Sequence, residues 1–347
     1  MESAKITDSL YRNENASREE LRFLIENRNA ESAERLFERA REAARRHYGN
    51  KVYVRGLIEM TNYCRNDCYY CGIRRSNGAA QRYRLTKEDI MHCCEEGYRL
   101  GFRTFVLQGG EDSFYTDDIM VDIIGAIRGK YPDCAITLSL GEKSAESYRR
   151  FFDAGANRYL LRHETATPEH YAKLHPAELS LANRIECLRV LKEIGYQVGC
   201  GSMIGSPYQT LDNIVEDLIF IKSFGPQMVG MGPFIPHHDT PFAREKAGTA
   251  ELTLFLLAIV RLMNPKVLLP ATTALGTIED NGRELGMLAG CNVVMPNLSP
   301  ISVRKKYMLY DNKISTGDEA AEARASLERR MEKIGYRVVS ERGDYAD

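Results

Sequence analysis

Cys64, Cys68 and Cys71 stand at x3 and x2 spacings in TNYCRNDCYYCGIRR, close enough in sequence to share a metal. A structural zinc site wants four protein ligands, and no fourth Cys or His follows at ligand spacing. Three thiolates with an open fourth position suit an iron–sulfur cubane, in which one iron stays free for an exogenous ligand. Zinc and three independent buried thiols are the alternatives. Tyr70, directly before the third cysteine, gives this loop an aromatic wall.

Other residues could do chemistry too. Gln108-Gly109-Gly110-Glu111 closes an apolar run, and paired glycines suit a place where backbone approaches a ligand, or a plain turn. Arg158 and Arg162 have the same parity, so a regular strand turns both to one face, costly for guanidinium unless anions meet it. His237-His238 follows Pro236, but neighbours in extended chain diverge, which argues against a metal pair. His163 alternates away from its arginine neighbour and reads as packing. Cys93, Cys94, Cys134, Cys187, Cys200 and Cys291 read as packing thiols.

These residues need a scaffold, and the pattern of the chain supplies one. Over residues 1–50 apolar positions recur at helical spacing, with Ser17 and Glu20 in capping-box register. From residue 52 short apolar runs alternate with amphipathic helices. The runs are VYVRGLIEM, RTFVLQ, AITLSL, NRYLL, QVGCGSMI, QMVGMG, KVLLP and NVVM. Eight strand–helix units over about 250 residues predict a (β/α)8 TIM-type barrel, α/β in class. A doubly wound sheet competes, but no Gly-x-Gly-x-x-Gly turn follows the first strand. The expected division is a helical extension over 1–50, a barrel over 51–300 and a charged helical extension over 301–347.

Composition narrows the setting. Among 347 residues, 47 Lys and Arg face 48 Asp and Glu, so no global field points to nucleic acid or an anionic membrane. No run approaches eighteen apolar residues, and the N-terminal residues lack an apolar signal core. A reducing, cytoplasmic location is expected, where clustered cysteines serve metals more often than disulfides.

The Cys-x3-Cys-x2-Cys loop, with an aromatic before its last cysteine and after the first barrel strand, resembles the radical S-adenosylmethionine (SAM) superfamily. The resemblance implies one 4Fe-4S cluster on Cys64, Cys68 and Cys71, with SAM on the open iron beside Tyr70. Electron transfer then cleaves SAM to a 5′-deoxyadenosyl radical. It further implies that Gln108, Gly109, Gly110 and Glu111 bind the methionine amino group, with Ser139 of TLSLGE nearby. Glu164 would meet the ribose, Arg184 the SAM carboxylate, and Met203 with Ile204 the adenine.

More narrowly, VLQGGED, RYLLRHETATP, GSMIGSP, VGMGPFIPHHDTP, PATTALGT and VVMPNLSP resemble the HydE family of FeFe-hydrogenase maturases, in the biotin synthase-like branch. This implies a barrel cavity lined by Arg158, Arg162, Thr272, Thr273 and Met295, with Arg162, Tyr307 and Tyr310 as reactive-site groups. Its implied substrate is a small-molecule iron synthon, a cysteine-bound iron carbonyl cyanide whose sulfur the radical attacks. The implied partners are the other hydrogenase maturases, a radical SAM tyrosine lyase and a GTPase scaffold. One departure stands out. Many relatives carry three more cysteines for an accessory cluster, where this chain has Ser315, Ala323 and Ser326, so that cluster is expected to be absent. A carbon-skeleton mutase of the methylornithine synthase type and a non-catalytic iron–sulfur carrier are the other readings.

Overall fold

A computed structural model of the chain describes residues 1–314 and 320–346. Three helices come first, Glu2–Asn13, Arg18–Glu26 and Ala30–Tyr48. The second opens on the expected capping box, Ser17 accepting from the Glu20 amide and Glu20 from the Ser17 amide. Eleven strands follow: β1 (Lys51–Val54), β2 (Gly56–Thr61), β3 (Thr104–Gly109), β4 (Ala135–Ser139), β5 (Arg158–Leu160), β6 (Gln197–Cys200), β7 (Met203–Ile204), β8 (Met228–Val229), β9 (Gly232–Pro233), β10 (Val293–Val294) and β11 (Arg337–Val339).

All ladders among them are parallel. One sheet runs β2-β3-β4-β5-β6-β8, and a second runs β10-β1-β11. Single parallel bridges join the two: Met228 to Leu268 and Pro270 to Val293. Eight parallel segments thus succeed one another around a (β/α)8 barrel, with helices such as Lys87–Arg99 and Asp117–Lys130 between them. The strands are shorter than the apolar runs. VYVRGLIEM divides at Arg55, and QVGCGSMI divides at Gly201, where φ is +154° and a Cβ would lie 2.0 Å from the Gly230 carbonyl oxygen. KVLLP contributes bridges only.

The C-terminal segment departs from the all-helical expectation. After the helix Ala320–Lys333 the chain forms β11, which pairs with β1 in register Lys51–Arg337. It then crosses the barrel floor, the end at which the strands begin. There Arg158, 0% exposed, donates to Asp344 Oδ1 (2.6 Å), to the carbonyls of Arg342 and Gly343 (3.1 Å each), and to Thr104 and Gln197 (3.2 Å each).

Burial alone would raise the Asp344 carboxyl, but Arg158 and Arg342 outweigh it and hold it below its ordinary value. A carboxyl depressed in the folded state stabilises the fold above its unfolded pKa and loses that contribution as pH falls through the folded value. Asp344 is 40% exposed, which discounts the effect. Asp344→Asn is therefore expected to lower stability near neutral pH by about 1–3 kcal/mol. The difference from the parent should shrink in acid, and urea unfolding midpoints across pH check both.

Candidate functional site

The cysteine loop leaves β2 at the opposite end of the barrel, where strands finish and TIM-barrel sites are built. It has no regular secondary structure, so side chains satisfy its backbone. Arg82 donates to the carbonyls of Ile73 (2.8 Å), Arg74 (2.7 Å), Asn77 (3.0 Å) and Asn62. Asp67 accepts from Arg74 Nε (2.8 Å) and Nη2 (2.6 Å) and from the Ser76 amide (3.0 Å) and hydroxyl (2.7 Å). Arg74 holds the Asp67 carboxyl well below the carboxylate range.

Cys64, Cys68 and Cys71 lie together, partly exposed and free. Burial pushes all three thiols up, Cys71 to about 12; Cys64 and Cys71 add to the rise at Cys68, as Cys64 does at Cys71. Three adjoining thiols that resist becoming anions are a site that a multivalent cation would discharge. Among the described residues, only His237, His238 and Asp239 bring three ligand atoms within 4.8 Å. The cysteine sulfurs are spread more widely, as fits a multi-iron cluster better than a single ion. The Glu111 amide donates to Cys64 Sγ at 3.4 Å.

Gly110 is where the loop after β3 passes close against the loop after β2. A Cβ there would lie 2.2 Å from the Tyr63 carbonyl oxygen and 2.7 Å from Cys64 Cβ. Glu111 accepts from Arg65 Nε (2.9 Å) and from the Glu142 amide (2.9 Å). Gln108 and Ser139 are register partners at the ends of β3 and β4. Glu164 adopts φ +66°, a strained region for a residue with a side chain, and accepts from Arg162 Nη2 at 2.8 Å. Buried Arg184 donates to Glu142 (2.5 Å) and to the Arg162 carbonyl (2.9 Å). Met203 packs in a small apolar cluster with Tyr70 beside it, and Ile204 in the main core. Residues predicted to hold SAM thus stand at or just after the ends of β3, β4, β5 and β7, with Arg184 on the helix Leu181–Ile194.

Tyr70 itself is fixed. Its hydroxyl lies 3.1 Å from His175 Nε2, and His175 Nδ1 lies 3.0 Å from the Tyr171 carbonyl oxygen. Burial pushes His175 down to about 3.

Inside the barrel, a cavity of about 140 Å³ brings together Arg162, Thr272, Thr273, Met295 and Tyr310. Tyr307 is buried alongside, 3.4 Å from Gln108 Nε2. Arg158 is not among the lining residues, contrary to the sequence expectation. Parity assigns a face of the barrel but not a depth, and four residues of extended chain are about 13 Å. Its guanidinium is consumed at the floor by Asp344 and its neighbours.

Sequence reasoning missed four polar lining residues: Arg55, Glu59, Thr137 and Lys313. Each is a polar residue within an apolar run or beside the tyrosine segment, which is the signal that could have found it. Arg55 is 5% exposed; its Nε and Nη2, the Thr137 hydroxyl and the Arg162 Nε are buried without a hydrogen-bond partner. Burial, then Arg158, pulls the Arg55 guanidinium well below its ordinary value. Such groups suit a polar guest of negative character.

Lys313 is paired with Glu59 and donates to the Tyr307 carbonyl at 2.9 Å. Asn297 also donates to Glu59, at 2.9 Å. Burial raises the Glu59 carboxyl against the pull of Lys313.

The remaining motifs sort as follows. His237 and His238 do not diverge. The chain turns at Thr240, whose amide donates to the His237 carbonyl, and the two rings stack at 4.5 Å. Yet His237 Nδ1 already accepts from the Asp239 amide (3.1 Å) and His238 Nδ1 lies 2.6 Å from Asp311. Buried His163 accepts from the Gly201 amide and packs on Phe220. The other six cysteines are buried. Ala323 and Ser326 line a side cavity of about 80 Å³ with Arg283, Arg330 and Lys313. Ser315 lies outside the described residues. No helix among them is long and apolar enough to cross a membrane.

The chain is similar to known proteins. Residues 58–221 match the family model of the radical SAM superfamily. The chain is 46% identical over 302 residues to the FeFe hydrogenase maturase subunit HydE of Thermotoga maritima, spanning 87% of this chain and 86% of that protein. It is 30% identical over 321 residues to 3-methylornithine synthase of Methanosarcina acetivorans, spanning 92% and 89%. A crystal structure of methylornithine synthase superposes with a TM-score of 0.85 at 27% identity, covering 96% of this chain and 97% of that one.

Two outcomes follow from the geometry. Gly110→Ala is expected to push the cysteine loop aside, so iron retained per chain after anaerobic reconstitution should fall severalfold in elemental analysis. Glu59→Gln strands a buried ammonium, which costs about 3–5 kcal/mol. Denaturant unfolding should register that loss, and limited proteolysis should cut residues 305–314 faster.

Proposed function

This chain belongs to the HydE family of radical SAM proteins, and from that premise we propose that it binds SAM and an iron–cysteine substrate in one barrel to mature FeFe-hydrogenase. It is a radical SAM enzyme of the HydE maturase type; the substrate, its orientation and the residues that handle it are the proposal. The thiol trio, the Gly110 cradle and the ring of polar strand ends fit a 4Fe-4S cluster carrying SAM. When bound, these groups supply reductive cleavage of the sulfonium C–S bond and a 5′-deoxyadenosyl radical.

The protein's part is binding, orientation and exclusion of water. Cys64, Cys68 and Cys71 would hold the cluster. Glu111, Glu164 and Arg184 would hold the amino, ribose and carboxylate groups of SAM, exchanging present partners for the cofactor. Below them, Arg162 with Thr272 and Thr273 would orient a cysteine-bound iron carbonyl cyanide so that its sulfur faces the cofactor. Arg55 and Thr137 would meet its far end. Guanidinium forks suit planar carboxylate, and threonine hydroxyls suit neutral or weakly basic acceptors. Tyr307 and Tyr310, held down through the Lys313–Glu59 pair, would close the chamber against water.

One observation carries this reading: guanidinium nitrogens of Arg55 and Arg162 and the Thr137 hydroxyl, buried without hydrogen-bond partners, belong to residues lining one cavity inside the barrel. The partners would be the maturase that makes the synthon and the scaffold that receives the product.

Arg162→Gln separates the two halves of the site. It should retain 5′-deoxyadenosine formation within about threefold while maturation of apo-hydrogenase falls by more than about a hundredfold, the loss of a charged bidentate contact. Normal maturation by this variant would remove Arg162 from the substrate site. Because methylornithine synthase shares fold and 30% identity, the same assay with lysine in place of the synthon is the control. SAM-dependent consumption of lysine would favour a mutase.

A further inference from the structure

We propose that His175 is a positioning residue of the cysteine loop, whose imidazole accepts the Tyr70 hydroxyl proton and so locks the Tyr70 side chain between Cys68, Cys71 and the SAM-facing groups. The inference rests on the radical SAM reading and adds to it a residue outside every motif of that reading.

Hydrogen-bond logic fixes the donor. His175 caps the helix Pro168–Leu174, and its Nδ1 lies 3.0 Å from the Tyr171 carbonyl oxygen. A carbonyl only accepts, so Nδ1 carries the proton. With no carboxylate among its partners and 1% exposure, the ring is neutral and Nε2 presents a lone pair. The group 3.1 Å from that lone pair is the Tyr70 hydroxyl, which must therefore donate.

The imidazole is held in turn. It stacks on the Tyr171 ring at 3.9 Å and 21°, and meets the Tyr70 ring edge-on at 5.4 Å and 89°. The Tyr69 amide donates to the Leu174 carbonyl at 3.0 Å, a backbone tie at the adjacent residue. The helix end and the cysteine loop are thus clamped at two points, one main-chain and one side-chain.

A consequence concerns the phenol. Glu164 and Arg184 act electrostatically on it from the SAM side. A tyrosine whose one proton is spent on His175 cannot donate to Glu164 or to a cofactor carboxylate, and turns only lone pairs toward them. Tyr70 then serves as a rigid wall, set before any cofactor arrives.

The test uses the full-length protein. In the cluster-free form, 15N NMR of the imidazoles should give His175 the Nδ1–H tautomer, with an Nε2 resonance that moves in Tyr70→Phe. In the anaerobically reconstituted form, His175→Phe and Tyr70→Phe should each shift the electron paramagnetic resonance of the reduced cluster with SAM. Each should raise the KM for SAM about three- to tenfold, the range of one neutral hydrogen bond, with kcat changed less. The double variant should be no worse than either single one, since both remove the same bond. His175→Gln, which can accept from Tyr70 and donate to Tyr171, should restore the parent values.

An Nε2–H tautomer, additive effects, or a Tyr70→Phe protein with unchanged spectrum and KM would overturn the proposal. Tyr70→Phe alone decides the matter if His175→Phe does not fold. Failure of the parent protein to cleave SAM would instead strike the radical SAM reading, leaving the tautomer measurement valid.

Discussion

A ring of parallel strands buries the side chains that point inward, and every cation placed there needs an anion or a guest. This constraint organises the molecule from floor to mouth. Arg158 is met by Asp344, Lys313 by Glu59, Arg162 by Glu164 and Arg184 by Glu142. All but the Arg162–Glu164 pair also tie together segments distant in sequence. The floor is closed by the C-terminal segment, the tyrosine segment is held to the first strand, and neighbouring strand ends are joined at the mouth. Arg55 stands apart, buried with two nitrogens lacking protein partners, so its compensation falls to whatever occupies the cavity.

The mouth solves a different problem. Three thiols, three carboxylates and three arginines must stay close without collapsing on one another. Rigid local scaffolding supplies the answer: Arg82 and Asp67 bind the irregular loop from inside, and Gly110 lets backbone pass where no side chain fits. The carboxylates are paired with arginines and an amide. Preorganisation of this kind lowers the ordering cost of binding, at the expense of polar groups held in close quarters.

How much of this was legible depended on how local the information was. Cys64, Cys68 and Cys71 lie within eight residues, so their spacing alone indicated shared metal chemistry. The strand ends carrying Gly110, Glu164 and Met203 are readable because each closes or follows an apolar run. Arg158 was misplaced because period-2 reasoning gives inward or outward and says nothing about height along the barrel axis. Its partner lies 186 residues away, in a segment whose composition reads as helix. Arg55, Glu59 and Thr137 sit within apolar runs, and only the folded arrangement reveals that they share one cavity with Lys313. The adjacent histidines differ from the extended-chain expectation because the backbone turns at Thr240 and brings their rings together.

The pairing of β11 with β1 carries an implication for how the chain acquires its shape. Lys51 waits for Arg337, and Arg158 waits for Asp344. Two long loops must therefore close before the first barrel strand gains its outer neighbour and the floor its counter-charge. Until then the nascent barrel has a bare edge at β1 and an uncompensated guanidinium within, which are features that chaperones recognise and that favour misassociation. The residues that close the barrel floor thus come in the chain well after the cysteine loop that defines its chemistry.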